Sequence, residues 1–212
     1  MKKTLVAAII GLAAVASVKG QGQIIMYNVG IHPGLGVYYA ENPILYGTGS
    51  GGTLGLNISG AQWTIAMYGV AGNSVATING LFAGDGGNGV VGGVGGLALA
   101  SGTATIWPGE PIGVYGSATP PNQTSATFAF SGTGTFVLVA YNGASYNSST
   151  IRGHSAAFTA TAAVSPATPS ALTGSNGDPS APQFSVSAVP EPSTFALAGL
   201  GLAGLLIFRR RK

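Results

Sequence analysis

Phe136-Val137-Leu138-Val139-Ala140-Tyr141 is apolar at every position. A strand turns successive side chains to opposite faces, so this one offers no polar face to water. Such a run predicts a central strand buried from both sides. Outward from it, Trp63-Thr64-Ile65-Ala66-Met67-Tyr68 alternates with period two. Trp63, Ile65 and Met67 share one face; Thr64, Ala66 and Tyr68 share the other. Gln23 to Val29 behaves alike, with Ile25 and Tyr27 on one side. Phe128 with Phe130, and His154 with Ala156 and Phe158, mark two more strands. Thr103 to Trp107 and Ile112 to Ser117 are further candidates, divided by Pro108-Gly109.

Turn residues fall between these runs: Pro33-Gly34, Asn79-Gly80, Pro120-Pro121 and Asn142-Gly143. No segment of the body shows a sustained helical period with caps. The expected fold is all-β, an antiparallel β-sandwich or jelly roll with Gly-rich loops, over residues 21–162. A β-solenoid would need a fixed repeat, and none is present. Gly84 to Gly96 reads as a flexible surface loop by its composition. Residues 163–188, rich in Ala, Ser, Thr and Pro, read as a linker, with 183–188 offering an edge strand because Phe184 and Val186 alternate with serines.

The formal net charge of +3 belongs to the two ends. Lys2, Lys3 and Lys19 lie near the start, and Arg209, Arg210, Arg211 and Lys212 close the chain. Between Gln21 and Val189, Arg152 stands against Glu41, Asp85, Glu110 and Asp178. The body is weakly acidic and has no basic patch to neutralise phosphates, which argues against nucleic-acid binding. With no cysteine, it has no disulfides, thiolate metal sites or Cys nucleophile.

Residues 1–20 read as a secretory signal helix. Lys2 and Lys3 precede an apolar run from Leu5 to Ala16, and Val18 and Gly20 place signal-peptidase cleavage between Gly20 and Gln21. A cut before Ser17 is the alternative. At the other end, Val189-Pro190-Glu191-Pro192-Ser193-Thr194 leads into an uncharged run, 195–208, and then the basic cluster. Pro190 and Pro192 lack N–H donors and keep Glu191 on an extended, accessible chain. The run would cross a membrane as a helix, with the basic end on the cytoplasmic side and the body outside. Its fourteen residues reach only about 21 Å, against about 30 Å of hydrocarbon. That shortness predicts a marginal anchor, suited to temporary retention.

Residues 189–212 resemble the PEP-CTERM family of sorting signals. The resemblance rests on the Pro190-Glu191-Pro192 string, the apolar span 195–208 and the Arg209-Arg210-Arg211-Lys212 end. It implies processing near Pro-Glu-Pro by an exosortase, a membrane-embedded, transpeptidase-like protease. Such proteins occur in bacteria that make extracellular polysaccharide, and their expected destination is the cell surface or biofilm matrix. The body is more loosely similar to ectodomains common among them, through Gln21 to Tyr27 and Gly153 to Thr159; no functional residue carries over.

Few constellations point to chemistry. His32 and His154 have no local cluster of metal ligands, and the Gly-x-Ser-x-Gly elbow is absent. Glu41, Asp85, Glu110 and Asp178 sit in loop-like sequence with no sign of a carboxylate pair. The stretches starting at Gly47 and Gly84 fit Gly-x-Gly-x-x-Gly but open no helix after a strand. Asp85 and Asn88 make a poor calcium site, one carboxylate being too few. Asn57, Asn122 and Asn147 begin glycosylation-type triplets, expected by chance in so Ser/Thr/Asn-rich a chain. Trp63, Trp107, Tyr38, Tyr39, Tyr46 and Tyr115 would stack on sugar rings if exposed. The alternation assigns Trp63 to the core, and Tyr38-Tyr39 puts one ring on each face of a strand.

The sequence therefore predicts an exported, non-enzymatic surface or matrix protein with no catalytic residue, metal or cofactor. Its expected partners are signal peptidase, exosortase and the membrane. A carbohydrate-binding module holding extracellular polysaccharide through Tyr38 and Tyr39 is the alternative, and a secreted hydrolase with a dispersed site is the third reading.

Overall fold

The computed structural model describes residues 21–31, 38–40, 42–106, 114–116, 124–164, 166–173 and 179–189. The signal segment, His32, Glu41, Trp107, Glu110, Asn122, Asp178 and the tail from Pro190 lie outside these residues.

The strands are β1 (Gly22–Met26), β2 (Val29–Ile31), β3 (Tyr38–Ala40), β4 (Leu45–Tyr46), β5 (Thr64–Ala71), β6 (Ala98–Leu99) and β7 (Ala104–Ile106). They continue with β8 (Tyr115–Gly116), β9 (Thr124–Phe128), β10 (Gly132–Tyr141), β11 (Ile151–His154), β12 (Phe158–Ala162) and β13 (Ser185–Ala188). The all-β expectation stands. The strands join as one curled, mixed nine-stranded sheet with two small antiparallel pairs, β1–β9 and β2–β3. The two facing antiparallel sheets of a jelly roll are not seen among the described residues.

β10 is the central strand. Along one side it pairs with β5 from Gly134 to Tyr141. Along the other it pairs first with β12 and then with β11. The expected single strand through His154, Ala156 and Phe158 is broken at 155–157. There Ser155 bonds back to the central strand: its N–H donates to the Leu138 carbonyl, and its Oγ accepts the Leu138 N–H.

The sheet curls until its hydrogen bonds close on themselves. After β12, Ala163 exchanges two backbone bonds with Gln23 of β1, at 2.8 and 3.0 Å. β1 pairs in full with β9. Thr127 of β9 then exchanges two bonds with Ser101, which lies between β6 and β7, both partners of β5. Inside this ring pack Ile24, Met26, Trp63, Ile65, Met67, Phe128, Phe136, Leu138 and Phe158. Phe136 touches Phe128, Phe130 and Phe158 with ring centroids 5.0 to 6.2 Å apart. Trp63, Ile65 and Met67 thus take the core face that their spacing predicts.

The opposite face of β5 and β10 carries Ala66, Tyr68, Val137, Val139 and Tyr141. It is covered by a helix, α1 (Val75–Leu81), and by the glycine-rich stretch that follows. The sequence reading missed this helix and took Asn79-Gly80 for a turn between strands. Seven residues are too few to display a sustained period, and a helix so short is held by packing, not by propensity. Ile78 is buried, Val75 is partly buried, and Phe82 closes the end. The Ser74 N–H donates to Thr135 Oγ1 at 2.7 Å, and Asn79 Oδ1 accepts the Ala157 N–H at 2.7 Å. The central strand is therefore buried on both sides, as expected, by a second layer that the sequence reading did not foresee.

Residues 163–188, expected as a linker, are partly laid against the body. The Ile25 N–H donates to the Ser170 carbonyl at 2.9 Å, and Leu172, Ala181 and Val186 are buried in the main core. β13 is not an edge strand. It lies between β11, antiparallel, and β4, parallel, and this last pairing makes the sheet mixed.

Candidate functional site

Among the described residues, Asp85 and Arg152 are the only carboxylate and guanidinium, and His154 is the only imidazole. The fold gathers all three at one seam, where the glycine-rich stretch meets β11. Arg152 and His154 are two residues apart in a strand, so they share a face. Gly86 and Gly87 adopt φ of +71° and +76°, a conformation that side chains resist. Their turn lets the Gly87 N–H donate to Asp85 Oδ1 at 2.8 Å. The other carboxylate oxygen, Oδ2, meets His154 Nε2 at 2.9 Å. His154 Nδ1 lies 2.9 Å from the Ser155 carbonyl, so both ring nitrogens face acceptors. Phe82 packs on the imidazole at 4.3 Å between centroids. The backbone joins in: the His154 N–H donates to the Gly87 carbonyl at 2.7 Å.

Arg152 is buried and meets no carboxylate among the described residues. Its Nε donates to the Asn88 carbonyl at 2.8 Å, and its Nη1 donates to the carbonyls of Tyr146, at 3.1 Å, and Asn147. The guanidinium carbon stands 5.2 Å from the Tyr146 ring centroid, a cation–π contact. The Tyr146 hydroxyl is buried without a hydrogen-bond partner among the described residues. Burial pushes its ionisation well above that of an ordinary phenol; Arg152 opposes that shift, while Asp85 and Tyr68 add to it.

Residues 84–96 are therefore anchored, contrary to the flexible loop expected from composition. Two side chains of β11 grip the stretch, and Val91 and, just beyond it, Leu97 are buried beneath it. The scarcity of charge was the usable signal. In a body with one arginine, two histidines and four acids, each such group needs a partner when buried.

The seam brings together one acid and one histidine that stand 69 positions apart in the chain. The Ser155 hydroxyl is taken by the Leu138 N–H and the Ala156 carbonyl. Both Asp85 oxygens are engaged, and no cluster of three His or acidic residues is present among the described residues.

The aromatic candidates separate. Trp63 and Tyr115 are buried. Tyr38 and Tyr39 lie on β3 opposite Ile31 and Gly30, and their side chains are outside the described part. Tyr46 is half-buried beside a cleft of about 450 Å³ lined by Thr53, Leu56, Asn57 and Ser59. Its ring meets Trp63 edge-on at 6.1 Å, and its hydroxyl accepts the Ser59 N–H at 3.3 Å. Asn57 is partly buried and Asn147 is exposed.

The route to the tail is fixed just as firmly. The Ala188 N–H donates to the Thr48 carbonyl at 2.9 Å, and the Ala188 carbonyl accepts from Asn88 Nδ2 at 3.2 Å. The Val189 N–H donates to the Thr150 carbonyl at 2.8 Å. The body is held to within one residue of Pro190.

Residues 188–212 match the PEP-CTERM protein-sorting motif. The chain thus carries a PEP-CTERM sorting motif at its C-terminal end, which implies export towards the cell surface and an exosortase as the processing partner. No curated protein and no solved structure matches the chain. Among the described residues no helix is long and apolar enough to cross a membrane; the expected span 195–208 lies outside them.

Proposed function

We propose that the protein is a non-enzymatic structural or adhesive component of the cell surface or extracellular matrix, held briefly in the inner membrane by its tail and then cut free. The sorting motif at 188–212 carries this reading. A scaffold role for the body is supported by the use of its ionisable groups: Asp85, Arg152 and His154 all join the glycine-rich stretch to β11. The seam resembles a structural clamp more than an acid–base site.

Mass spectrometry of the protein from its native host tests the sorting. The expected C-terminus falls between Pro190 and Ser193. Replacing Pro190, Glu191 and Pro192 with alanine should leave uncut protein in the membrane fraction. A mature surface protein still ending in Lys212 would overturn the processing.

A second reading, a carbohydrate-binding module, draws on the Tyr46 cleft. A half-buried ring beside uncharged hydroxyl and amide groups suits a neutral sugar. Pull-down on extracellular polysaccharide would show binding that Tyr46→Ala abolishes; no binding by the unaltered protein would end this reading.

A further inference from the structure

β13 runs antiparallel to β11 and parallel to β4, which places Ala188 level with Ile151 at the Tyr141 end of β10. Three loops meet at that end. Residues 47–56 leave β4 there, and Thr48 binds Ala188. Residues 85–92 reach it through Asn88, which also binds Ala188. Residues 142–150 join β10 to β11, and Thr150 binds Val189. The tail leaves from the middle of this ring of loops.

Two properties of that end stand out. It carries no exposed charge among the described residues, because Arg152 is buried and Asp85 is held inward on His154 and Gly87. It also holds three large exposed aliphatic side chains: Leu54 at 71% exposure, Leu56 at 60% and Val90 at 52%. The slack available to the tail is small. Five residues, 190–194, separate Val189 from Phe195, where the apolar run begins. Fully extended, the step from 189 to 195 covers about 20 Å. With the run inserted in lipid, this end of the body lies within about 20 Å of the hydrocarbon, across a headgroup layer only about 5–8 Å thick.

We propose that the end of the body from which the tail leaves docks on the bilayer surface before processing, with Leu54, Leu56 and Val90 dipping into the headgroup region. The partner is a lipid surface engaged by apolar contact, without dependence on anionic headgroups. The docking rests on the reading of 195–208 as a membrane span. Its consequence is positional: docking would set Pro190-Glu191-Pro192 at the headgroup layer, where a membrane-embedded protease can reach it.

The absence of cysteine allows single-site labelling. Leu54→Cys, Val90→Cys and Val164→Cys variants of the full chain, each carrying an environment-sensitive fluorophore, are reconstituted into neutral phosphatidylcholine vesicles with a quencher on the lipid chains near the headgroup. Val164 is 38% exposed and follows Ala162 and Ala163 at the far end of β10, about 30 Å away. Labels at 54 and 90 should be quenched at least about twofold more than the label at 164, as befits side chains buried roughly 5–10 Å into the interface. Vesicle flotation of the same samples checks the anchor. A protein that fails to float overturns both the anchor and the docking. A protein that floats with all three labels equally bright keeps the anchor and overturns the docking. Labels at 54 and 90 that stay unquenched in vesicles alone, and change their emission without lipid quenching only after an exosortase is added, would overturn the lipid docking and assign the face to that protein.

Discussion

Replacing Arg152 with methionine tests the clamp between β11 and the glycine-rich stretch. Methionine keeps much of the aliphatic volume and removes every donor. The carbonyls of Asn88, Tyr146 and Asn147 each lose a charged partner. An acceptor left short of its bond in a partly buried site costs about 1 kcal/mol or somewhat more, and the lost cation–π contact adds about 1 kcal/mol. The expected loss is about 3–5 kcal/mol. A domain of this size is stable by about 5–15 kcal/mol, so the variant should fold with a visibly reduced margin. With a urea dependence of about 2 kcal/mol per molar, the midpoint should fall by about 1.5–2.5 M, read from the fluorescence of Trp63 and Trp107. Hydrogen exchange should quicken first in residues 84–96 and 142–150. Arg152→Lys, which keeps the charge but loses the forked geometry, should fall between the two. A midpoint for Arg152→Met within about 0.3 M of the unaltered protein, with unchanged exchange in both loops, would refute the clamp.

The buried phenol of Tyr146 gives a pH prediction. Its neutral form is favoured in the fold, so its contribution is intact below about pH 10 and drains above it. There the unfolded chain ionises while the folded one does not, at about 1.4 kcal/mol per pH unit. Tyr146→Phe should make that alkaline decline shallower in thermal melts without removing it, since burial also raises Tyr115, Tyr68 and Tyr141, and at neutral pH should cost nothing or stabilise by up to about 1 kcal/mol, because the hydroxyl has no partner among the described residues. Gly153→Ala tests how β13 is seated: an added Cβ would collide with the Ser185 carbonyl oxygen and lie 3.0 Å from Val186 Cα, both backbone atoms. The strand must then move, at a cost of about 3 kcal/mol or more, and proteolysis should release the segment from 179 onward.

Much of this protein was legible because the relevant information is local. Period-two alternation at 63–68 assigned Trp63, Ile65 and Met67 to the core, and the unbroken apolar run 136–141 marked the central strand. The sorting tail is the clearest case: an enzyme reads it as a linear string, so proline, glutamate, apolar run and basic end carry their meaning without a fold. Other features arise between residues far apart in the chain. Nothing near Asp85 announces His154, 69 positions later. A glycine-rich composition predicts freedom, and that freedom is lost only because Arg152 and His154 grip the backbone from β11. α1 exists because the outer face of β5 and β10 must be covered, a demand set by packing and not by its seven residues. The alternation of Phe184 and Val186 with serines offers an edge strand, yet β13 sits between two strands, one of them parallel, and holds the chain up to Val189. The sequence by itself determined the β class, the central strand and the address. The tertiary structure decided the second layer, the clamp and the tight exit of the tail, because hydrogen bonds and burial across the chain, not neighbouring residues, fix each of them.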